Sequence, residues 1–185
     1  MLVHWYVTGE HNRLNAGAAI AAARHVGVAP QTAIESFARY RMPKRRMEVK
    51  GVVNDITVYD DFAHHPTAIT TTVAGLRKRV GSARILAVLE PRSNTMKLGV
   101  MKAQLPESLR DADLVFGYGA SEGKDALGWD LAESLSPLGE KARAFDDLTE
   151  LVQAVKAQAR AGDQILVMSN GGFGGVHQKL LDALD

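Results

Sequence analysis

The stretch YDDFAHHPTA, residues 59–68, places Asp60, Asp61, His64 and His65 just ahead of a proline. Three chemistries use such residues. Asp61 with His64 and His65 has the ligand types of a metal site. Adjacent histidines point in different directions, however, and no second ligand cluster stands out elsewhere, so no dedicated protein-built metal site is expected. An acid/base or nucleophilic dyad needs a serine or cysteine held by one histidine, and nothing local marks one. A phosphate-proximal role fits better. The loop leaves a strand and enters a helix at Pro66, where the missing N–H costs nothing because first-turn donors are unpaired anyway. Its side chains could then reach a ligand or the ligand's Mg²⁺. His4, His25 and His177 read as structural or solvated.

Four other polar loops compete for attention. GYGASEGKD (117–125) nearly matches a phosphate-binding P-loop, but its glycine spacing is wrong and Asp125 stands where Ser or Thr should follow Lys124. It reads as a surface loop. MSNGGFGGVH (168–177) misses the dinucleotide fingerprint because His177 occupies the third glycine position. Its glycines still permit close backbone approach, and Ser169 and Asn170 fall where a strand ends. EPRSNTMK (90–97) sets Arg92, Ser93 and Asn94 after an apolar strand, where arginine can clamp a carboxylate and Ser93 or Asn94 can also cap a helix. GEHNRLN (9–15) starts an Ala-rich helix with His11, Asn12 and Asn15. Asn12 can be a plain cap; two amides and an imidazole could equally read a flat heterocycle.

The elements that must position these residues follow from periodicity. Leu2 to Val7 predicts a strand, Asn12 to Val26 a helix stopped by Gly27, and Pro30 to Tyr40 a second short helix. The basic tract RMPKRRMEVKG then marks a change of character, with a domain boundary near Arg41 to Lys44. Met47–Val52 and Ile56–Tyr59 predict a hairpin turning at Asn54-Asp55. Ile69, Val73, Leu76 and Val80 recur at helical spacing after Pro66, and Gly81 ends that helix. Strands at 84–90, 113–119, 142–145 and 164–170 then alternate with helices at 95–105, 125–135, 147–161 and 173–184. This alternation predicts an α/β fold with a mainly parallel sheet, Rossmann-like, with helices on both faces. Ligands in such sheets collect at the carboxyl ends of strands, which is where the polar loops lie.

Composition narrows the classes. With 46% hydrophobic and 23% charged residues the chain reads as globular, and a net charge of +1 gives no global argument for nucleic acid or an anionic membrane. It has no cysteine, so disulfide scaffolds and thiolate metal sites are excluded, and a reducing cytoplasm is the expected setting. The apolar run at the N-terminus is too short to span a bilayer. It looks like a strand that begins abruptly, as though cut from something larger.

Taken together, GEHNRLNAGAAIAAA, KRRMEV with YDDFAHHPTAI, and MSNGGFGGVHQKLL resemble the Mur ligases, ATP-dependent amide-forming enzymes of peptidoglycan synthesis. The resemblance covers essentially the whole chain. DDFAHHPTAI, EPRSNTMKLG and SNGGFGG resemble most the branch that joins L-alanyl-γ-D-glutamyl-meso-diaminopimelate to UDP-N-acetylmuramate in peptidoglycan recycling. The branch that adds L-alanine shares the HHP loop and stays open as an alternative, as does a stand-alone Rossmann-like nucleotide-binding module.

The resemblance implies three domains in the family: a UDP-sugar domain, a central ATPase domain with a P-loop, and a C-terminal Rossmann-like domain. Residues 1–42 then correspond to the end of the ATPase domain, and 43–185 to the peptide- or amino-acid-binding C-terminal domain. The implied chemistry is phosphorylation of the muramate carboxylate by ATP, followed by attack of the peptide's amine on the acyl phosphate. His11, Asn12 and Asn15 would hold the adenine; Arg46 and Asp61 would reach the nucleotide, with His64 and His65 beside them. Arg92, Ser93, Asn94, Ser169 and Asn170 would face the murein tripeptide. ATP and Mg²⁺ would be held mainly by the absent N-terminal and central domains, so the chain alone is expected to be inactive. No metal ligands, nucleic-acid partner or membrane partner are expected in it.

Overall fold

A computed structural model of the chain describes residues 9–123 and 126–185, divided into two compact units, Met1–Lys44 and Arg45–Asp185. The strand expected at Leu2–Val7 lies outside the described residues, as do Lys124 and Asp125.

The first unit contains helix α1 (Glu10–His25) and helix α2 (Pro30–Ser36), the latter continued by a 3-10 turn at Phe37–Arg39. Alanine propensity accounts for α1, and proline at the first position starts α2. None of the described residues of this unit is buried, and Leu14 and Val26 stay 66% and 77% exposed. Two such helices draw little stability from packing, which is the usual source of helix stability in proteins.

The second unit is a six-stranded sheet. Its strands are β1 (Glu48–Val53), β2 (Ile56–Asp61), β3 (Ile85–Leu89), β4 (Leu114–Tyr118), β5 (Ala142–Phe145) and β6 (Gln164–Met168), in spatial order β1-β2-β6-β3-β4-β5. β1 is antiparallel to β2, and every other pairing is parallel. Asn54 and Asp55 both adopt positive φ, 49° and 61°, the paired left-handed geometry of a two-residue hairpin turn. Side-chain alternation splits the core across the sheet. Ile85, Ala87, Leu89, Leu166 and Met168 face helix α3 (Pro66–Val80), with α4 (Asn94–Lys97), α5 (Leu105–Ser108) and α6 (Leu131–Leu135). Leu86, Val88, Ile165 and Val167 face α7 (Leu148–Gln158) and α8 (Val176–Leu184) on the other side.

Three helices differ from expectation. The 95–105 segment is broken into α4, a turn and α5, because Gly99 takes a φ of 72° that ends the first helix. The helix expected from Asp125 begins only at Leu131, where Asp130 caps it by accepting from the Glu133 N–H at 3.0 Å. The last helix starts at Val176 rather than Phe173, since Gly174 and Gly175 both have positive φ. Among the described residues no helix is long and apolar enough to cross a membrane.

Candidate functional site at the carboxyl ends of the strands

β2 delivers Asp60 and Asp61 to opposite faces of the sheet, as the period of two requires. Asp61, on the α3 side, is 3% exposed. Its carboxylate accepts from the Met47 N–H at 2.9 Å, the Ala63 N–H at 2.8 Å and the Thr72 hydroxyl at 3.2 Å. Burial pushes its carboxyl above the usual value, against these hydrogen bonds and the nearby Arg46 charge. The carboxylate expected to reach a nucleotide is thus turned into the fold, with its oxygens already engaged.

Asp60, on the α8 side, is buried too. Arg45 Nε donates to its Oδ1 at 3.3 Å, and His177 Nε2 lies 3.2 Å from the same oxygen without the alignment of a hydrogen bond. Burial lowers the His177 pKa, while Asp60 pulls it the other way. His177, expected to be structural or solvated, is therefore half-buried beside Asp60 and Arg45.

Arg46 is exposed, with its guanidinium 5.9 Å from the Phe62 ring centre. Arg45 lies 5.2 Å from the same ring, and His64 meets it edge-on at 5.2 Å. His64 Nδ1 is also 2.8 Å from the Phe62 carbonyl oxygen. His65 occupies the cap position of α3 without a side-chain capping bond. Arg46 and His64 are thus brought together around Phe62.

A second cluster forms where β3 and β6 end side by side. The helices that follow β3 lie on one face of the sheet and α8, which follows β6, lies on the other, an arrangement that leaves a crevice between neighbouring strand ends in open α/β sheets. Ser169 is fully buried; its hydroxyl donates to Glu90 Oε2 at 2.5 Å and accepts from the Gly171 N–H at 2.9 Å. A cleft of about 390 Å³ opens beside it, lined among others by Glu90, Arg92, Tyr118, Glu122 and Phe173. Arg92 lies so close to Gly171 that a Cβ there would sit 2.2 Å from Nη1. Asn170 is half-buried, and its amide oxygen has no hydrogen-bond partner. Ser93 caps α4, its hydroxyl accepting from the Met96 N–H at 3.3 Å, and Asn94 is exposed on the first turn.

In the first unit, His11 and Asn15 are exposed one turn apart on α1, and Asn12 is half-buried between them. The His11 ring lies against Gly9, where a Cβ would be 2.7 Å from Cε1. His11, Asn12 and Asn15 offer the amide and imidazole groups that a purine edge takes; in the second unit, Arg46 offers an exposed guanidinium of the kind a phosphate takes. Among the described residues, no group of three or more His, Asp or Glu could hold a metal ion.

Sequence reasoning passed over Phe62, Glu90, Arg45 and the Asp60–His177 contact. Phe62 had a signal, an aromatic between paired acids and paired histidines. Glu90 opens the loop that carries Arg92, Ser93 and Asn94.

Comparison with known proteins places this geometry. The family described as Mur ligase, glutamate ligase domain, matches residues 45–171. The UDP-N-acetylmuramate–L-alanyl-γ-D-glutamyl-meso-2,6-diaminoheptandioate ligase of Escherichia coli (strain K12) is 52% identical over 98% of this chain and 39% of its own length. The UDP-N-acetylmuramate–L-alanine ligase of Myxococcus xanthus (strain DK1622) is 33% identical over 96% of the chain and 39% of its own length. The crystal structure of a murein peptide ligase from Psychrobacter arcticus superposes with a TM-score of 0.78 at 43% identity, covering 100% of this chain and 39% of that one. The chain therefore spans about two fifths of the length of the relatives it matches.

Proposed function

Because the chain belongs to the Mur ligase family, we propose that it is the C-terminal part of an ATP-dependent ligase joining L-alanyl-γ-D-glutamyl-meso-diaminopimelate to UDP-N-acetylmuramate. The observation that carries this reading is the cleft at the carboxyl ends of β3, β4 and β6. Arg92, Glu90 and Glu122 all line its roughly 390 Å³. A peptide bearing both ammonium and carboxylate groups meets both signs there. One alanine would leave most of that space empty. The higher identity to the tripeptide-joining relative than to the L-alanine-joining one points the same way.

In this reading Arg92 faces the peptide, Ser169 holds Glu90 at the cleft from beneath, and the half-buried Asn170 follows it at the strand exit. Ser93 and Asn94 shape the turn beside it. Arg46, His64 and His65 form the edge that meets the nucleotide phosphates, and His11, Asn12 and Asn15 take the adenine. Asp61 acts through the loop it holds. ATP supplies the phosphoryl group that activates the muramate carboxylate. Mg²⁺ and most phosphate contacts belong to the rest of the longer protein. Residues 1–42 are the end of the ATPase domain, in keeping with a helical unit that buries none of its described residues. The setting is recycling of cell-wall peptide in the cytoplasm.

Calorimetry of the full-length protein, with UDP-N-acetylmuramate and a non-hydrolysable ATP analogue present, tests the assignment. The reading requires the tripeptide to bind at least tenfold more tightly than L-alanine, about 1.4 kcal/mol. Tighter binding of L-alanine would assign the chain to the other branch.

A further inference from the structure

The structure holds Arg46 in an unusual frame. Both of its neighbours are non-glycine residues in left-handed backbone, Arg45 at φ 60° and Met47 at φ 52°. Such residues are uncommon and persist only where their surroundings over-determine them. Here each neighbour is tied to one of the adjacent acids that end β2. The Arg45 side chain donates through Nε to Asp60 and through Nη2 to the Ser169 carbonyl at 2.5 Å. Its backbone N–H donates to Glu48 Oε2 at 2.9 Å, and its carbonyl accepts from the Phe62 N–H at 2.9 Å. On the other side, the Met47 N–H donates to Asp61. Arg46 itself stays exposed between these two anchors.

We propose that Arg45, Asp60 and Asp61 are positioning residues for Arg46, the two acids fixing the left-handed residues on either side so that the guanidinium projects in one direction from the strand-exit face. The inference rests on the reading of Arg46 as the nucleotide-facing arginine. It gives the double acid a use that neither metal binding nor acid/base chemistry provides. It also links the two clusters, because the Ser169 carbonyl that receives Arg45 belongs to the residue whose hydroxyl holds Glu90 in the cleft. A lysine at position 45 could not bridge Asp60 and Ser169 together, since that span needs a planar fork.

Arg45→Gly tests the device, because glycine accepts a φ of 60° while the ties to Asp60 and Ser169 and the contact with the Phe62 ring are lost. Asp60→Ala is the second variant and cuts one tie from the other end. The first readout is the backbone amide order parameter of Arg46 in this 185-residue chain. It is expected to fall from roughly 0.85 in the parent to below about 0.6 in both variants, with α3 and α8 amides unchanged. An Arg46 amide as ordered as in the parent would overturn the proposal.

The second readout is amide formation by the full-length enzyme. Arg45→Gly should lower kcat roughly 100-fold, as misplacement of a positioned group does. In an Arg46→Ala background the same change should cost less than about twofold, because the residue it positions is gone. Additive losses would overturn the proposal. If the parent enzyme forms no amide at all, the ligase reading fails instead, and the order parameters alone decide the positioning role.

Discussion

Replacing Asp61 by alanine separates a scaffolding carboxylate from one that touches ligand. The side chain is 3% exposed and serves three donors, the N–H groups of Met47 and Ala63 and the Thr72 hydroxyl. Alanine leaves all three without an acceptor. At a net cost of about 1 kcal/mol per lost hydrogen bond, Asp61→Ala should destabilise by roughly 3 kcal/mol. For a chain of this size that lowers the melting temperature by about 6–12 °C. Asp61→Asn keeps one oxygen able to accept from two donors and removes a charge whose burial is unfavourable, so its cost should be roughly 1 kcal/mol. The pH dependence has a definite sign. The folded-state pKa is raised above 3.8, chiefly by burial, so as pH climbs through that window the unfolded chain ionises first and the parent loses stability. The gap between parent and Asp61→Asn should therefore narrow from pH 4 to pH 7. Melting followed by circular dichroism at both pH values measures each quantity. An Asp61→Ala chain melting within about 3 °C of the parent would refute the scaffolding role, since the error in a single 1 kcal/mol term is no larger. The carboxylate would then have to act on ligand.

Other perturbations read the remaining parts of the site. Gly171→Ala places a Cβ 2.2 Å from Arg92 Nη1 and should displace that side chain. The peptide KM should rise by about tenfold or more with little change in the KM for ATP, and an unchanged peptide KM would remove Arg92 from the peptide site. Ser169→Ala strips the buried donor from Glu90 and the acceptor from the Gly171 N–H, at a cost of roughly 2–4 kcal/mol; urea unfolding with an unchanged slope checks it. His177 has its pKa lowered from 6.5 by burial, so as pH falls below 6.5 the unfolded chain takes up a proton before the folded one and stability declines. His177→Asn should flatten that decline between about pH 7 and 5, and an unchanged slope would remove the histidine from its half-buried place beside Asp60.

The parts of the fold legible in the sequence each had a local cause. Asn54-Asp55 is a turn pair, Pro66 and Gly81 bracket a 3.6-residue stripe, and the short apolar runs of β3 and β6 between polar loops suit buried strands. Missed boundaries came from conformations that pattern does not carry, as at Gly99, where apolar spacing continues past a positive-φ break. The site was legible as a set of loops but not as a set of contacts. Alternation alone says that Asp60 and Asp61 diverge, but which one meets Arg45 depends on β6 lying between β2 and β3. Ser169 and Glu90 are 79 residues apart, and nothing local announces their hydrogen bond. Arg45 and Arg46 are identical neighbours in sequence; only the folded backbone turns one toward Asp60 and Ser169 and leaves the other exposed.

We propose that this chain supplies the peptide-binding part of a tripeptide ligase and needs the rest of that enzyme to act. Amide formation from UDP-N-acetylmuramate and ATP tests it directly, comparing L-alanyl-γ-D-glutamyl-meso-diaminopimelate with L-alanine, in the full-length protein and in the 185-residue chain. ATP-dependent product is expected from the tripeptide with the full-length protein, little from L-alanine, and none with the chain alone. Preference for L-alanine, or turnover by the isolated chain, would contradict it.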